Sequence, residues 1–321
     1  MARSFKFAFF IFVGSLFTTA CNLNLLPGVL SEADSDDIPP SVGLALVLNS
    51  LNSASEETVA IPMQALDSNG SRFDCNSTFF TSTTTTSANN TPLDLRFYIH
   101  DFKLVDWNGG VSSAPLADGG SFQAGGAALL DFEDASGNCV TGNATFTGTT
   151  ATNTSVSIAA PAGNWQGVEF TVGLPYALQR QQASAASTTA PFNVTDMYWS
   201  WTAGYKFILM EWNDAGGNRI RYHLGSTGCT AGSDGAQESC TNEYRATIRA
   251  THSDGFDPTT DTIVFNIPGL LNGFPGNNTA TQCMVLQDGT NCETLVTNSG
   301  LDSSSGVSTG TGSLFTIQKG R

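Results

Sequence analysis

The chain has 321 residues, enough for one large or two smaller domains with a substantial core. Only 13% of residues are charged, glycine, serine and threonine abound, and helix formers seldom occur in series, so an all-β protein is expected. A formal charge of −15, with 13 scattered basic residues, excludes a nucleic-acid backbone as partner.

Residues 1–21 read as an export signal. Arg3 and Lys6 form a basic start, Phe7 to Phe17 an apolar run too short to span a bilayer, and Thr18-Thr19-Ala20 a small-residue cleavage site. Cys21 follows directly, in the place of the cysteine that is lipidated in bacterial lipoproteins. Thr18 stands where an aliphatic residue is usual there. A periplasmic, outer-membrane or cell-surface location follows as the expectation, with the membrane reached through the lipid anchor only. Residues 22–43, acidic and proline-bearing, read as a flexible tether, and residues 44–321 as one domain.

Within that domain, residues 59–66 form the first predicted strand, closed by the turn Asp67-Ser68-Asn69-Gly70. Residues 81–90 are a low-complexity Thr/Ser/Asn loop. Residues 93–105 give the clearest strand, whose alternation sends Arg96, Tyr98, His100, Phe102 and Leu104 to one face and Phe97, Ile99, Asp101 and Lys103 to the other. Further strands are predicted at 127–132, at 145–158 as an edge or surface strand, and at 165–173. The stretch 179–190 is helix-compatible. A hairpin turn at 214–218 joins strands 205–212 and 219–224. Residues 245–251 and 262–267 supply two more strands. Residues 295–312 are glycine- and serine-rich, and 314–317 form a last strand. Many short strands without a βαβ rhythm mean a sandwich or barrel, and the expectation is an antiparallel, disulfide-stapled β-sandwich with long polar loops.

Apart from Cys21 there are six cysteines: Cys75, Cys139, Cys229, Cys240, Cys283 and Cys292. An even number in an exported chain reads as three disulfides. Spacing favours Cys229–Cys240 and Cys283–Cys292 as local loops, leaving Cys75–Cys139. No CxxC occurs, which argues against a thiolate metal site.

The densest aromatic stretch runs from Met197 to Phe207 and continues to Trp212, so Trp199, Trp201 and Trp212 lie close in sequence. Alternation puts Trp199 and Trp201 on one face of an extended segment. The plain reading makes them the centre of a sandwich core; the sharper one gives at least one of them a chemical role. Only three histidines exist. His100 shares a strand face with Tyr98, His223 lies on the partner strand of the aromatic hairpin near residues 205–208, and His252 sits in a turn. Two imidazoles and an aromatic group from different strands are a donor set for a late transition metal, copper above all. No GxSxG elbow, HExxH or Walker loop appears, so no enzyme is expected. Asp94, Asp101, Asp131, Glu133 and Asp134 read as solvated carboxylates or calcium ligands, without EF-hand spacing.

Four motifs occur in order: Arg96-Phe97-Tyr98-Ile99-His100-Asp101, Trp165 to Pro175, Met197 to Phe207, and His223 to Cys229. Together with Cys240, Cys283 and Cys292 they resemble the MbnP-like family, the methanobactin-associated periplasmic proteins also described as metallo-mystery pair system four-Cys motif proteins. The resemblance covers most of the chain from about Leu44. It implies a copper-binding protein partnered by a di-haem cytochrome c peroxidase-like enzyme of the MauG type, which oxidises a tryptophan of this protein to kynurenine. By position, Trp201 or Trp199 is the residue to be modified, Trp201 being preferred, and His100 and His223 are the implied copper ligands. The chain departs from the family at Ala177-Leu178-Gln179-Arg180, where an Asn-His pair is frequent. The reading that competes with all of this is a structural or adhesive sandwich with no metal site. Weaker still is a carbohydrate-binding module built on exposed aromatics.

Overall fold

The computed structural model describes residues 57–76, 91–139, 150–179, 189–200, 204–213, 217–231, 237–274, 282–284, 293–310 and 314–320. The leader with Cys21, the tether, the loop 81–90, most of the stretch 179–190, Trp201 and Cys292 lie outside the described residues.

Strands appear at most of the predicted stretches, and several short ones, such as Val111–Ser113, Thr227–Ala231 and Gln237–Asn242, lie where none is predicted. The first are β1 (Glu57–Leu66), β2 (Thr91–Val105), β3 (Val111–Ser113), β4 (Gln123–Ala124), β5 (Ala127–Asp131) and β6 (Ser155–Ala160). Next come β7 (Trp165–Val172), β8 (Tyr198–Ser200), β9 (Gly204–Tyr205), β10 (Ile208–Asn213) and β11 (Arg219–Leu224). The last are β12 (Thr227–Ala231), β13 (Gln237–Asn242), β14 (Ala246–Phe256), β15 (Thr262–Asn266), β16 (Gln282–Met284) and β17 (Phe315–Gln318).

They form an all-β sandwich. One sheet has the order β17-β15-β1-β6, with β6 at its edge; the larger runs β14-β7-β2-β10-β11-β16, with β3 and β5 also paired to β2 and β4 to β5. Pairing is mainly antiparallel, but β1–β15 and β11–β16 are parallel. Parallel neighbours are joined by long crossovers, which a local alternation pattern does not reveal.

The core lies between the two sheets. Val59, Ile61, Met63 and Ala65 of β1 point into it, as do Leu95, Phe97 and Ile99 of β2 and Ile208, Met210 and Trp212 of β10. Phe97 stacks on Phe265 at 5.3 Å and meets Phe315 edge-on at 5.6 Å, the offset geometries that aromatic quadrupoles favour.

The predicted facing of β2 holds only for its first half. The β2–β7 register shifts between His100 and Lys103, and Asp101 adopts φ 53. This bulge reverses the alternation, so Phe102 and Leu104 join Phe97 and Ile99 in the core. Aspartate is among the few side chains that accept the left-handed region readily. His100 is left as the last residue of the outer series Arg96, Tyr98, His100.

That outer face carries its own apolar layer. Tyr98, Leu129, Leu174, Phe192, Met197, Tyr205, Phe207 and Leu209 form a second, smaller buried cluster, built largely from the segment between β7 and β10. The aromatic stretch therefore contributes to this second layer, and Trp212 rather than Trp199 sits in the main core.

Cys75–Cys139 and Cys229–Cys240 are bonded as expected, the latter across the β12–β13 hairpin. Cys283 is disulfide-bonded as well. The glycine- and serine-rich C-terminal stretch opens with a short helix, Glu293–Asn298, that composition conceals; it is fixed by burial of Leu295 and Val296.

Candidate functional site

Cross-strand register assembles a set of charged side chains on the outer face of the larger sheet. Leu209 lies opposite both Arg96 of β2 and His223 of β11, and Glu211 lies opposite both Asp94 and Arg221. Directly opposed residues point to the same side, so Asp94, Arg96, Glu211, Arg221 and His223 share this face. Asp131 of β5 joins them as the register partner of Arg96.

Arg96 is fully buried and organises one half of the group. Its Nε and Nη2 donate to Asp94 at 2.9 and 2.5 Å, Nη2 reaches Asp196 at 3.4 Å, and Nη1 stands 3.9 Å from Glu133. Asp94, Asp131 and Glu133 are 4%, 1% and 1% exposed, so the expectation of solvated carboxylates is corrected for these three. A buried charge persists only with partners; here one guanidinium faces several acids. Burial, then the nearby Glu133 and Asp94 carboxylates, raise the Asp131 carboxyl to about 8 against the pull of Arg96. Burial lowers the Lys206 ammonium to about 8 despite Asp196 and Glu211. Its Nζ donates to the Asp196 carbonyl.

Glu211 organises the other half. Its carboxylate accepts from Arg219, stands 3.5 Å from Arg221 Nε, and meets His223 Nε2 at 2.8 Å. Burial works to raise the Glu211 carboxyl, but the bonds from His223 and Arg219 outweigh it and leave it lowered. Burial lowers the His223 imidazole, with the Glu211 bond opposing. An ionised carboxylate only accepts, so the neutral ring donates from Nε2 and carries its lone pair on Nδ1.

Trp199 lies beside this histidine, with ring centroids 6.5 Å apart and planes inclined by 56°. Gly225, just beyond β11, makes the room. A Cβ there would come within 2.6 Å of Trp199 Cζ3 and 2.8 Å of the Tyr205 carbonyl. Sequence reading missed the part played by Glu211; its signal is a lone acid inside the otherwise apolar run Ile208–Trp212.

His100 occupies the other end of the same face. Four residues along β2 and two strand spacings across separate it from His223, roughly 16 Å between backbones. Its Nδ1 is 2.9 Å from the Gly173 carbonyl, to which it donates, leaving the lone pair on Nε2. Burial lowers this imidazole too, the Gly173 bond opposing. Gly204 of β9 approaches Gln179 so closely that a Cβ would fall 2.4 Å from its carbonyl oxygen. Two stations result: Trp199 with His223, and His100 beside the turn that follows β7. His252 stands apart, its Nδ1 accepting from the Asp254 backbone at 3.1 Å. Among the described residues no three His, Cys, Asp or Glu side chains converge on one point.

A family model for MbnP matches residues 56–285. The chain belongs to the MbnP family. A solved structure, MbnP from Methylosinus trichosporium, is similar over 82% of this chain and 98% of that one, with 24% identity and a TM-score of 0.65. At that identity the likeness to the solved MbnP bears on the fold alone. Among curated proteins there is no match. The MbnP match begins beside β1 and ends at β16, so it spans both histidine stations and the Trp199 segment.

Proposed function

We infer that this MbnP-family chain is an exported copper-binding protein, lipid-anchored through Cys21 in the periplasm or outer membrane. It is the substrate of a redox partner rather than itself an enzyme. The partner is a di-haem MauG-type protein that converts a tryptophan of the 199–201 segment to kynurenine. The observation that carries this reading is the Trp199–His223 pair. Family membership supports the redox partner, and the pair supports the metal: a neutral, buried imidazole with its tautomer set by a carboxylate is the usual state of a metal-ligating histidine. Opening the indole exposes an aniline nitrogen and a ketone oxygen, donor atoms that tryptophan lacks. With no three conventional ligands converging among the described residues, these residues fit a soft, low-coordinate ion, held by His223 Nδ1 and the modified ring.

Copper titration of the mature, modified protein tests the ligands. Glu211→Gln is expected to weaken binding about 10–100-fold, as the loss of a supporting carboxylate does, and His223→Ala to weaken it further. A loss confined to His100→Ala moves the centre to the His100 station, with Trp201 as the modified residue. Unchanged affinity in both histidine variants removes the copper assignment and leaves a structural or adhesive sandwich.

A further inference from the structure

Beyond the far end of β2 from Arg96 lies an open cleft of about 790 Å³, within the range of small-molecule sites. It is lined by Trp107 of the β2–β3 turn, Trp165 at the start of β7, and the stretch around Gly255. Trp107 is 52% exposed. Each indole rests on a glycine. A Cβ at Gly255, whose φ is +81°, would come within 3.1 Å of Trp107 Cζ2, and one at Gly163 within 2.5 Å of Trp165 Cζ2. The rings are thus laid against backbone on one side, and Trp107 keeps half its surface in solvent. An exposed indole on the wall of a cleft is a candidate ligand contact, because binding pockets are lined mainly by hydrophobic and aromatic side chains with a few polar groups.

The charge at the cleft selects the ligand. Among the described residues that line it, Glu57, Asp254 and Asp257 are acidic and Lys319 alone is basic. That ammonium is already taken: Nζ donates to Asp261 at 2.6 Å and to the Gly255 carbonyl at 3.0 Å. Three carboxylates beside indole faces make a negative, partly apolar surface, which attracts a cation through the ring quadrupole and through the field of the acids. A neutral sugar would use the rings but gain nothing from the charge. We propose that this cleft binds a small organic cation of the quaternary-ammonium type, seated on Trp107 and Trp165 with the carboxylates around it. The site is separate from the histidine stations and does not depend on the copper reading.

Calorimetric titration of the full-length protein with choline, and with its uncharged carbon isostere 3,3-dimethylbutan-1-ol, tests the proposal. Choline is expected to bind and the isostere not. Trp107→Ala should weaken choline binding by between about 2- and 30-fold, the span of cation–π attractions, while Trp107→Phe retains part of it. Asp254→Asn should weaken it and flatten its dependence on salt. Both side chains are exposed, so thermal unfolding of these variants should match that of the parent. Equal binding of the isostere, binding of neutral oligosaccharides without a response to choline, or no binding at all would each overturn the proposal.

Discussion

Arg96→Met is expected to destabilise the fold by about 3–5 kcal/mol, the usual result of removing one partner from a buried ionic group. The guanidinium is fully buried and is the shared counter-ion of Asp94, Asp196 and Glu133. Methionine fills much of the volume but leaves those acids without it. Arg96→Lys should recover only part of the loss, because an ammonium keeps the charge and not the two-pronged geometry toward Asp94. The pH dependence follows from Asp131. Its folded carboxyl holds a proton up to about 8, whereas the unfolded one releases it near the ordinary 3.8. The native state therefore binds more protons between those limits, and this group's contribution to stability, complete below the lower one, is lost as pH rises through the upper. Without the pull of Arg96, Asp94 and Asp131 are held more strongly in the protonated form. The variant's deficit in urea midpoint should be smaller at about pH 5 than at about pH 9. An equal deficit at both would mean that the acids are solvated after all.

The disulfides give the second large effect. Cys75–Cys139 closes a loop of sequence separation 64, and Cys229–Cys240 one of 11. Constraint of the unfolded chain by the longer loop amounts to about 4 kcal/mol, and by the shorter to about 3. Local geometry adds to the first, because Cys75 is buried and its carbonyl accepts from Asn138 at 2.7 Å. The double variant Cys75→Ala with Cys139→Ala is thus expected to lose more stability in urea unfolding than Cys229→Ala with Cys240→Ala. The opposite order would show that the β12–β13 hairpin matters more to the fold than the long link.

Much of this architecture is legible in the sequence, and the exceptions have causes. β1, β2, β7, β10 and β11 are written as alternating or apolar runs, and the hairpin that brings His223 opposite Leu209 follows from its turn residues. The facing of Phe102 and Leu104 is not, because one bulge residue, Asp101, reverses a period-two pattern without altering its composition. The parallel pairs β1–β15 and β11–β16 escape for a different reason: their partners lie far apart in the chain. The burial of Asp94, Asp131 and Glu133 was hidden too. A carboxylate at a strand end reads as solvated until the arginine that neutralises it, and the segment that covers it, are placed in space. The same holds for Glu211, whose role shows only when the register sets it against His223. Trp199 was legible as chemically interesting but not as a partner of one particular histidine, since the 6.5 Å contact joins β8 to β11 and alternation within one segment does not say which strand comes beside it.

Mass spectrometry of the peptide spanning Trp199 to Trp201, from protein made with and without the di-haem partner, tests the central reading most directly. With the partner and oxygen present, one tryptophan is expected to carry the mass of kynurenine, in which one carbon of the residue is exchanged for one oxygen; without the partner both should keep the mass of tryptophan. An unmodified peptide under both conditions would contradict the reading.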